Sequence, residues 1–387
     1  GIRDRLSLVG SEMCIRDRNA ALAKSIDDTE QAKKLALHQE REARARALSA
    51  YAVQSLSEDP ERAVILARYA VQNAFDLSTP TLYIAQEALH NSLLVSPLRF
   101  SVQHAKQGSV MVAYDPNGDG FATADWYGAI HIWSPTGKLI RKIQSREGIG
   151  GIEYIGNNIL AVAAYELLLT YNLAKPYQPV VLNPGNQSRI RKMKFNGSGT
   201  QVAIVYDATP TELLLFNRGA GNRLVPVPTP NLRLNSPVQA MDFSPAGRRI
   251  AIVTEDHHLQ VWDIGQAVML HDKEAHIYSV LSVRFRPGSE DEVATSSDEP
   301  IIRLWRVGER EAIRQFFGPN LSVFEVVFTP DGKQMVSSGR DNVIRSWDVD
   351  RGVEKVAFRG SRVGNRIAMS ANGRGVVSGA DDGSASF

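Results

Sequence analysis

Cysteine, long apolar runs and net charge are all scarce in this chain of 387 residues. Cys14 is the single cysteine, which excludes an internal disulfide and a zinc site built from several thiolates. No apolar run reaches the length of about 18 residues that a membrane-spanning helix needs. The 44 basic and 42 acidic residues leave a net charge of +2, which is no electrostatic signature of nucleic-acid binding. We therefore expect a cytoplasmic protein without a nucleic-acid partner, although exported proteins also often use little cysteine.

Motifs that would indicate catalysis or metal binding are missing as well. The sequence contains no Gly-x-Ser-x-Gly elbow, no phosphate-binding loop ending in Lys-Ser or Lys-Thr, and no His-Glu-x-x-His. Asp256-His257-His258 offers metal ligands, but adjacent strand residues point to opposite faces, which favours a solvent-facing turn. Residues 115–119 resemble part of a calcium loop that lacks its closing glutamate, and they fit a hairpin turn. We predict that the chain is not an enzyme and has no catalytic, cofactor-binding or metal-binding residues.

The first 18 residues differ from the rest of the chain. Ile-Arg-Asp-Arg occurs at 2–5 and again at 15–18, and residues 7–18 resemble a translated library adapter of the kind found in assembled environmental sequences. It has no apolar h-region and is not a secretion signal. We expect residues 1–18 to be a non-native leader and the chain to be a fragment of a longer protein. The alternative is a short polar leader.

Residues 19–96 predict a small connector of three helices. Residues 20–56 contain neither glycine nor proline and are strongly charged in their first half, which predicts a long helix that starts as a solvated stalk. Asp59-Pro60 and Thr79-Pro80 place a capping side chain directly before a proline, an arrangement that begins helices. Apolar stripes on these two helices should face each other. The alternative is the start of a superhelical repeat array.

Residues 97–387 show a repeat with a period near 40. Seven aromatic residues follow one another at steps of 38, 45, 46, 43, 42 and 40 residues, and each ends a short stretch of alternating hydrophobicity. The seven are Trp133, Tyr171, Phe216, Trp262, Trp305, Trp347 and Phe387. One aromatic per period of about 40 predicts four-stranded blades repeated around an axis. The predicted fold class is therefore mainly β, a seven-bladed β-propeller preceded by a small α-helical connector.

These repeats resemble the WD-repeat β-propeller family. Trp262-Asp263 and Trp347-Asp348 are copies of the dipeptide that gives the family its name. The resemblance implies a structural tetrad that clasps one blade by hydrogen bonds, and in blade 5 the matching residues are His276, Ser296, Asp298 and Trp305. In blade 1, Tyr127 occupies the position six residues before the tryptophan where an aspartate is expected. Because this fold supports many functions, the resemblance predicts architecture and not activity.

Closure of the ring is predicted because the last blade lacks one strand and an extra strand precedes the first blade. Phe387 aligns with the end of a third strand, so blade 7 lacks its fourth strand. Residues 98–102 precede blade 1 and alternate in the manner of a strand. We predict that residues 98–102 complete the seventh sheet and seal its exposed edge. The alternative is that further blades are lost after Phe387.

The predicted function is a non-catalytic scaffold or sensor that binds a protein or peptide. The top face is the end of the propeller that carries the turns between second and third strands and the loops between successive blades. We expect partner contacts there from Trp126, Tyr127, His257, Tyr278, Arg340 and Arg362, because exposed aromatics on rigid turns are good anchors. A basic cluster (Arg189, Arg191, Lys192 and Lys194) is either a solvated edge or a patch for an acidic partner.

The order of charged stalk, helical pair and propeller also resembles the C-terminal half of large bacterial signalling proteins. In these proteins an ATPase of the STAND type or a protein kinase lies upstream of the repeats. The alternatives are an enzyme with its active site in the central channel, and a free-standing structural adaptor.

Overall fold

The computed structural model describes residues 2–56, 60–74, 79–95, 101–104, 108, 110–118, 120–156, 158–175, 179–182, 188–219, 223–227, 232–359 and 366–386. Two compact units make up the chain, residues 1–97 and residues 98–387. The predicted calcium-loop residue Asp119, the helix cap Asp59, the ladder residue Phe387 and the candidate contact Arg362 lie outside the described residues.

The first unit contains three helices: α1 (Ile2–Ser55), α2 (Pro60–Ala74) and α3 (Thr79–Val95). Helix α1 continues through residues 2–18, so it begins earlier than the expected start near residue 20, and Gly10 does not interrupt it. Small side chains make the contacts between the helices: Ala45, Ala52, Ala63, Ala67, Ala70, Ala74 and Ala85 are fully buried. No described helix combines the length and apolar character needed to cross a membrane.

The second unit is a propeller of seven antiparallel sheets, as the repeat predicts. Blade 1 contains β2 (Met111–Tyr114), β3 (Phe121–Ala124), β4 (Ala129–Trp133) and β5 (Leu139–Gln144). Blade 2 contains β6 (Ile149–Tyr154), β7 (Ile159–Ala164), β8 (Leu167–Asn172) and β9 (Val180–Leu182). Blade 3 contains β10 (Ile190–Phe195), β11 (Gln201–Tyr206), β12 (Glu212–Arg218) and β13 (Leu224–Pro226), and β14 (Leu232–Arg233) also pairs with β12.

The remaining blades repeat the same order of strands. Blade 4 contains β15 (Val238–Phe243), β16 (Arg249–Thr254), β17 (His258–Asp263) and β18 (Val268–Glu274). Blade 5 contains β19 (Val280–Phe285), β20 (Glu292–Ser297), β21 (Ile301–Arg306) and β22 (Arg314–Phe317). Blade 6 contains β23 (Val323–Phe328), β24 (Gln334–Gly339), β25 (Val343–Asp348) and β26 (Val353–Arg359). Blade 7 contains β27 (Arg366–Met369), β28 (Val376–Gly379), β29 (Ser384–Ser386) and, from the start of the propeller, β1 (Ser101–Gln103).

The ring is closed by β1, as predicted for the described part of residues 98–102. Ser101, Val102 and Gln103 pair with the three residues of β29 in antiparallel register. The first strand of every blade contacts the first strands of both neighbours, and β2 of blade 1 contacts β27 of blade 7. Each of the seven seams between blades has its own apolar cluster. The first strands therefore surround a central channel, and the core is divided among the seams.

Candidate partner-binding site

Blade 5 contains a buried clasp built from a histidine, a hydroxyl and a tryptophan. Thr295 Oγ1 accepts a hydrogen bond from Trp305 Nε1 at 2.9 Å and lies 2.9 Å from Nε2 of His276. Ser297 Oγ lies 2.8 Å from the other ring nitrogen of His276. Both His276 and Thr295 are buried, so these bonds hold the loop before β19 against the second and third strands of the blade.

An acidic group and an arginine complete the clasp at the top face. Arg303 Nη1 donates to His276 Nδ1 at 2.6 Å and pairs with Glu299 Oε2 at 2.9 Å. Glu299 also accepts the backbone N–H of Ile277 in the loop between blades 4 and 5. Burial, followed by the charge of Arg303, lowers the pKa of His276 to about 4. The imidazole is therefore neutral at pH 7, and the donation from Arg303 to Nδ1 places its proton on Nε2.

Two members of the predicted tetrad are wrong. Ser296 Oγ is buried without a hydrogen-bond partner, and Asp298 is exposed. Ser296 is paired with Ile302, while Thr295 is paired with Arg303 on the face that carries Trp305. Because successive strand residues point to opposite faces, Thr295 and not Ser296 can reach the indole. The acidic member is Glu299, which lies six residues before Trp305, the same step that separates Asp341 from Trp347.

Blade 1 has a similar clasp that the sequence analysis missed. Thr123 Oγ1 accepts from Trp133 Nε1 at 2.8 Å and lies 2.7 Å from His104 Nδ1. Asp125 Oδ2 lies 3.4 Å from His104 Nε2, so Asp125 holds the acidic position that we had assigned to Tyr127. His104 follows β1 directly, and its backbone N–H donates to the carbonyl of Gly383 at 2.9 Å. The clasp of blade 1 therefore also fastens the strand that closes the ring.

A shared spacing connects these clasps. In blades 1 and 5 the hydroxyl lies 19 residues after the histidine and ten residues before the tryptophan. Blade 6 keeps the second half of this pattern, because Trp347 Nε1 donates to Ser337 Oγ at 2.9 Å. In blade 4 the position ten residues before Trp262 is Ile252, and the indole donates instead to Gln260 at 3.3 Å. A count of ten residues back from Trp133, Trp305 and Trp347 would have identified the three hydroxyls from sequence.

The clasp of blade 1 presents two exposed aromatic side chains on the top face. Asp125 Oδ1 accepts the backbone N–H groups of Tyr127 and Ala129, each at 2.9 Å, and so fixes the turn between β3 and β4. Trp126 is 48% exposed and Tyr127 is 79% exposed. The guanidinium of Arg189, from the loop that enters blade 3, lies 5.5 Å from the Trp126 ring centroid, within the range of a cation–π contact.

The clasp of blade 5 presents a second exposed pair on the same face. Ile277 is 70% exposed and Tyr278 is 59% exposed, and the loop that carries them is held by the bond from the Ile277 N–H to Glu299. Sequence reasoning selected Tyr278 and missed Ile277. It also missed Tyr165 and Leu321, which are exposed on other turns of this face. A search for any large apolar residue in the top-face turns would have found all three.

The other candidate contacts also lie in top-face turns. His257 is half-buried in the turn between β16 and β17 and has a φ of 71°, a left-handed conformation that fixes its position. Its neighbour His258 pairs with Asp272 at 2.7 Å. Arg340 is exposed in the turn between β24 and β25. No group of three or more potential metal-binding side chains occurs among the described residues.

The bottom part of the central channel carries charges of alternating sign. The carriers lie on the first strands of blades 2 to 6: Glu153, Lys194, Asp242, Arg284 and Glu325. Lys194 Nζ lies 2.5 Å from Glu153 Oε1 and 3.6 Å from Asp242 Oδ1, and Arg284 pairs with Glu325. These ion pairs join consecutive blades and leave each charge compensated by its neighbours.

The same carboxylates accept backbone N–H groups of the next blade, which would otherwise be unpaired at the inner edge. The backbone N–H of Phe195 donates to Glu153 at 2.9 Å and that of Phe285 donates to Asp242 at 2.8 Å. The backbone N–H of Ile367 donates to Glu325 at 2.9 Å. A cavity of about 280 Å³ opens beside Glu153, Lys194 and Asp242. The charged groups beside this cavity pair with one another.

Comparison with known proteins identifies repeats of one family in this propeller. The family model described as "WD domain, G-beta repeat" matches residues 228–263 and 310–348. These ranges include the first three strands of blades 4 and 6, the two blades that contain a Trp-Asp dipeptide. Two segments of the seven-bladed β-propeller, in blades 4 and 6, thus match the WD40 repeat.

Several proteins with such repeats are similar to part of the chain. The WD repeat-containing protein 26 homolog of Arabidopsis thaliana is 27% identical over 143 residues, which is 36% of this chain and 24% of that protein. Coronin-7 of Rattus norvegicus is 26% identical over 39% of this chain and 16% of its own length. Nuclear distribution protein PAC1 of Gibberella zeae is 29% identical over 40% of this chain and 35% of its own length. The similarity therefore spans about a third or less of these relatives.

Proposed function

We propose that the chain is a non-catalytic protein-interaction module that binds a protein or peptide partner on the top face of the propeller. One observation carries the proposal. The two blades with a complete clasp of histidine, hydroxyl, tryptophan and acid are also the blades that expose Trp126, Tyr127, Ile277 and Tyr278.

The clasps explain why these side chains are suited to binding. Asp125 lies 3.4 Å from the clasp histidine His104, and Glu299 pairs with Arg303 of the other clasp. Both carboxylates also accept backbone N–H groups of the turns that carry the exposed side chains. Turns held in this way have little conformational freedom left to lose when a partner binds. Large aromatics in such positions are the usual centres of binding energy in protein interfaces. Tyr127, His257, Arg340 and Arg362 complete the proposed contact surface.

The wider setting is part of the same proposal. The helical unit and the propeller form the C-terminal part of a larger bacterial signalling protein, and the propeller acts as its scaffold or sensor in the cytoplasm. The resemblance of stalk, helical pair and propeller to proteins with an upstream STAND-type ATPase or kinase supports this setting. A free-standing adaptor with the same contact surface is the second candidate.

Titration of a purified partner tests the contact surface. The partner is captured with the intact chain, identified by mass spectrometry and then titrated against the intact chain, Trp126→Ala and Ile140→Ala. Ile140 is a similarly exposed apolar residue on the outer strand of the same blade, so Ile140→Ala is the matched control. We expect Trp126→Ala to weaken binding by about thirtyfold, equivalent to about 2 kcal/mol. Unchanged affinity at an unchanged melting temperature would refute the role of Trp126.

A further inference from the structure

The top part of the central channel contains cations without counterions. Lys192 lies on β10 of blade 3 and Arg366 lies on β27 of blade 7, both on the innermost strands and nearer the top face than the alternating charges. Within the described part of the chain, neither side chain forms a hydrogen bond or an ion pair. This distinguishes them from Lys194 and Arg284, whose charges are compensated by carboxylates of neighbouring blades.

The nearest carboxylates are already engaged. Glu325 uses one oxygen for Arg284 and the other for the backbone N–H of Ile367. Asp207 lies 3.9 Å from Arg189, and Glu255 pairs with Arg191 at 2.5 Å. No described carboxylate forms an ion pair with Lys192.

The surroundings of Lys192 disfavour its charged form. Burial first, and then the charges of Arg366 and Arg191, lower the pKa of Lys192 to about 8, against weaker opposing effects of Glu325 and Asp207. A half-buried ammonium ion near two guanidinium groups gains more from an added anion than an exposed lysine does, because the anion meets less competing water.

Arg189, Arg191 and Lys192 also connect the channel with the proposed contact surface. Arg189 lies against Trp126 on the top face, and Lys192 follows three residues later at the channel. One short segment of chain thus carries both a contact of Trp126 and a cation of the channel.

We propose that an acidic side chain of the bound peptide enters the top of the central channel and is held between Lys192 and Arg366. The inference rests on the proposed function, because it names the chemistry of the partner that binds the top face. A carboxylate from Asp or Glu supplies the anion that the chain itself does not place there.

A peptide of defined charge tests this inference without knowledge of the natural partner. The probes are a fluorescein-labelled peptide with six glutamates and its counterpart with six glutamines, titrated against the full chain by fluorescence anisotropy at low salt. We expect only the glutamate peptide to bind, and we expect about tenfold weaker binding for Lys192→Met and for Arg366→Gln. Lys138→Met is the matched control, because Lys138 is an exposed lysine in a bottom-face turn of blade 1, and its affinity should equal that of the intact chain.

A second measurement follows Lys192 directly. After reductive methylation with ¹³C-formaldehyde, the NMR titration of this amine should move to higher pH when the glutamate peptide is added, and it should not respond to the glutamine peptide. Equal affinity of the glutamate peptide for Lys192→Met and for the intact chain would overturn the inference, as would equal affinity for both peptides or binding of neither. Binding of inorganic phosphate through Lys192 without binding of the glutamate peptide would also overturn it.

The outcomes are distinguishable from a failure of the proposed function. If the glutamate peptide binds through Lys192 while Trp126→Ala leaves partner affinity unchanged, the anion site stands and the Trp126 surface is wrong. If Trp126→Ala weakens partner binding while the glutamate peptide binds Lys192→Met as well as the intact chain, the function stands and the anion site is wrong.

Discussion

Replacement of Thr295 by valine tests the clasp of blade 5 with little change of shape. The substitution removes the hydroxyl that accepts from Trp305 Nε1 at 2.9 Å and bonds His276 Nε2 at 2.9 Å, and it keeps a side chain of similar volume. Trp305 and His276 are both buried, so neither donor can form a replacement hydrogen bond with water. An unpaired buried donor costs roughly 1–3 kcal/mol, which puts the loss of unfolding free energy at roughly 2–6 kcal/mol for the two.

Guanidinium denaturation followed by tryptophan fluorescence measures this loss. All five tryptophans lie between Trp126 and Trp347, so the signal reports the propeller and not the helical unit. The adjacent residue provides the control, because Ser296 is fully buried but its hydroxyl has no partner. We expect Ser296→Ala to change stability by no more than about 0.5 kcal/mol. Equal destabilisation by Thr295→Val and Ser296→Ala would refute the assignment of the clasp to Thr295.

Two further predictions concern the closing seam and the buried histidines. A Cβ on Gly379 would overlap the carbonyl oxygen of Val110 across the seam between blades 7 and 1, whereas a Cβ on Gly151 would meet no atom within 4 Å. We therefore expect Gly379→Ala to lower the melting temperature by several degrees and Gly151→Ala to change it by no more than about one degree. Comparable melting temperatures for the two variants would contradict this seam geometry. Burial lowers the pKa of His131 and of His276 to about 4. Below about pH 6.5 the unfolded chain therefore binds more protons than the folded chain, and the free energy of unfolding should fall as the pH falls from about 6.5 towards 4. Denaturation curves at pH 7 and pH 5 check this, with His131→Gln expected to reduce the difference, and equal stability at the two pH values would show that these imidazoles are not held neutral.

The architecture could be predicted from sequence because each blade repeats the same pattern of strands and turns. A strand ending in an aromatic residue and a turn with proline or glycine recur about every 40 residues. This spacing predicts a blade even where Tyr171 or Phe216 replaces tryptophan. Ring closure by residues 98–102 followed from counting strands. These features depend on chain-wide periodicity and tolerate an error at any single position.

The clasps were harder to predict because they depend on which face of a strand a side chain occupies. Ser296 and Thr295 differ by one position, and only the register with β21 decides which of them faces Trp305. The sequence pattern also had no means of assigning the acidic role in blade 1, where Asp125 acts from eight residues before Trp133. The sequence identified Lys192 as part of a basic cluster, but it could not show that Lys194 is ion-paired and Lys192 is not, because charge compensation depends on contacts between blades that are far apart in sequence.

The position of β1 also determines how the propeller bears mechanical load. Residues 101–103 are the first described residues of the propeller unit, and the ladder that they form with β29 is only three residues long. Any tension that reaches the propeller from the helical side therefore acts on this short ladder before it acts on another strand. The outer edge of blade 7 is thus the place where a pull would first open the ring, and His104 is the side chain positioned to resist it.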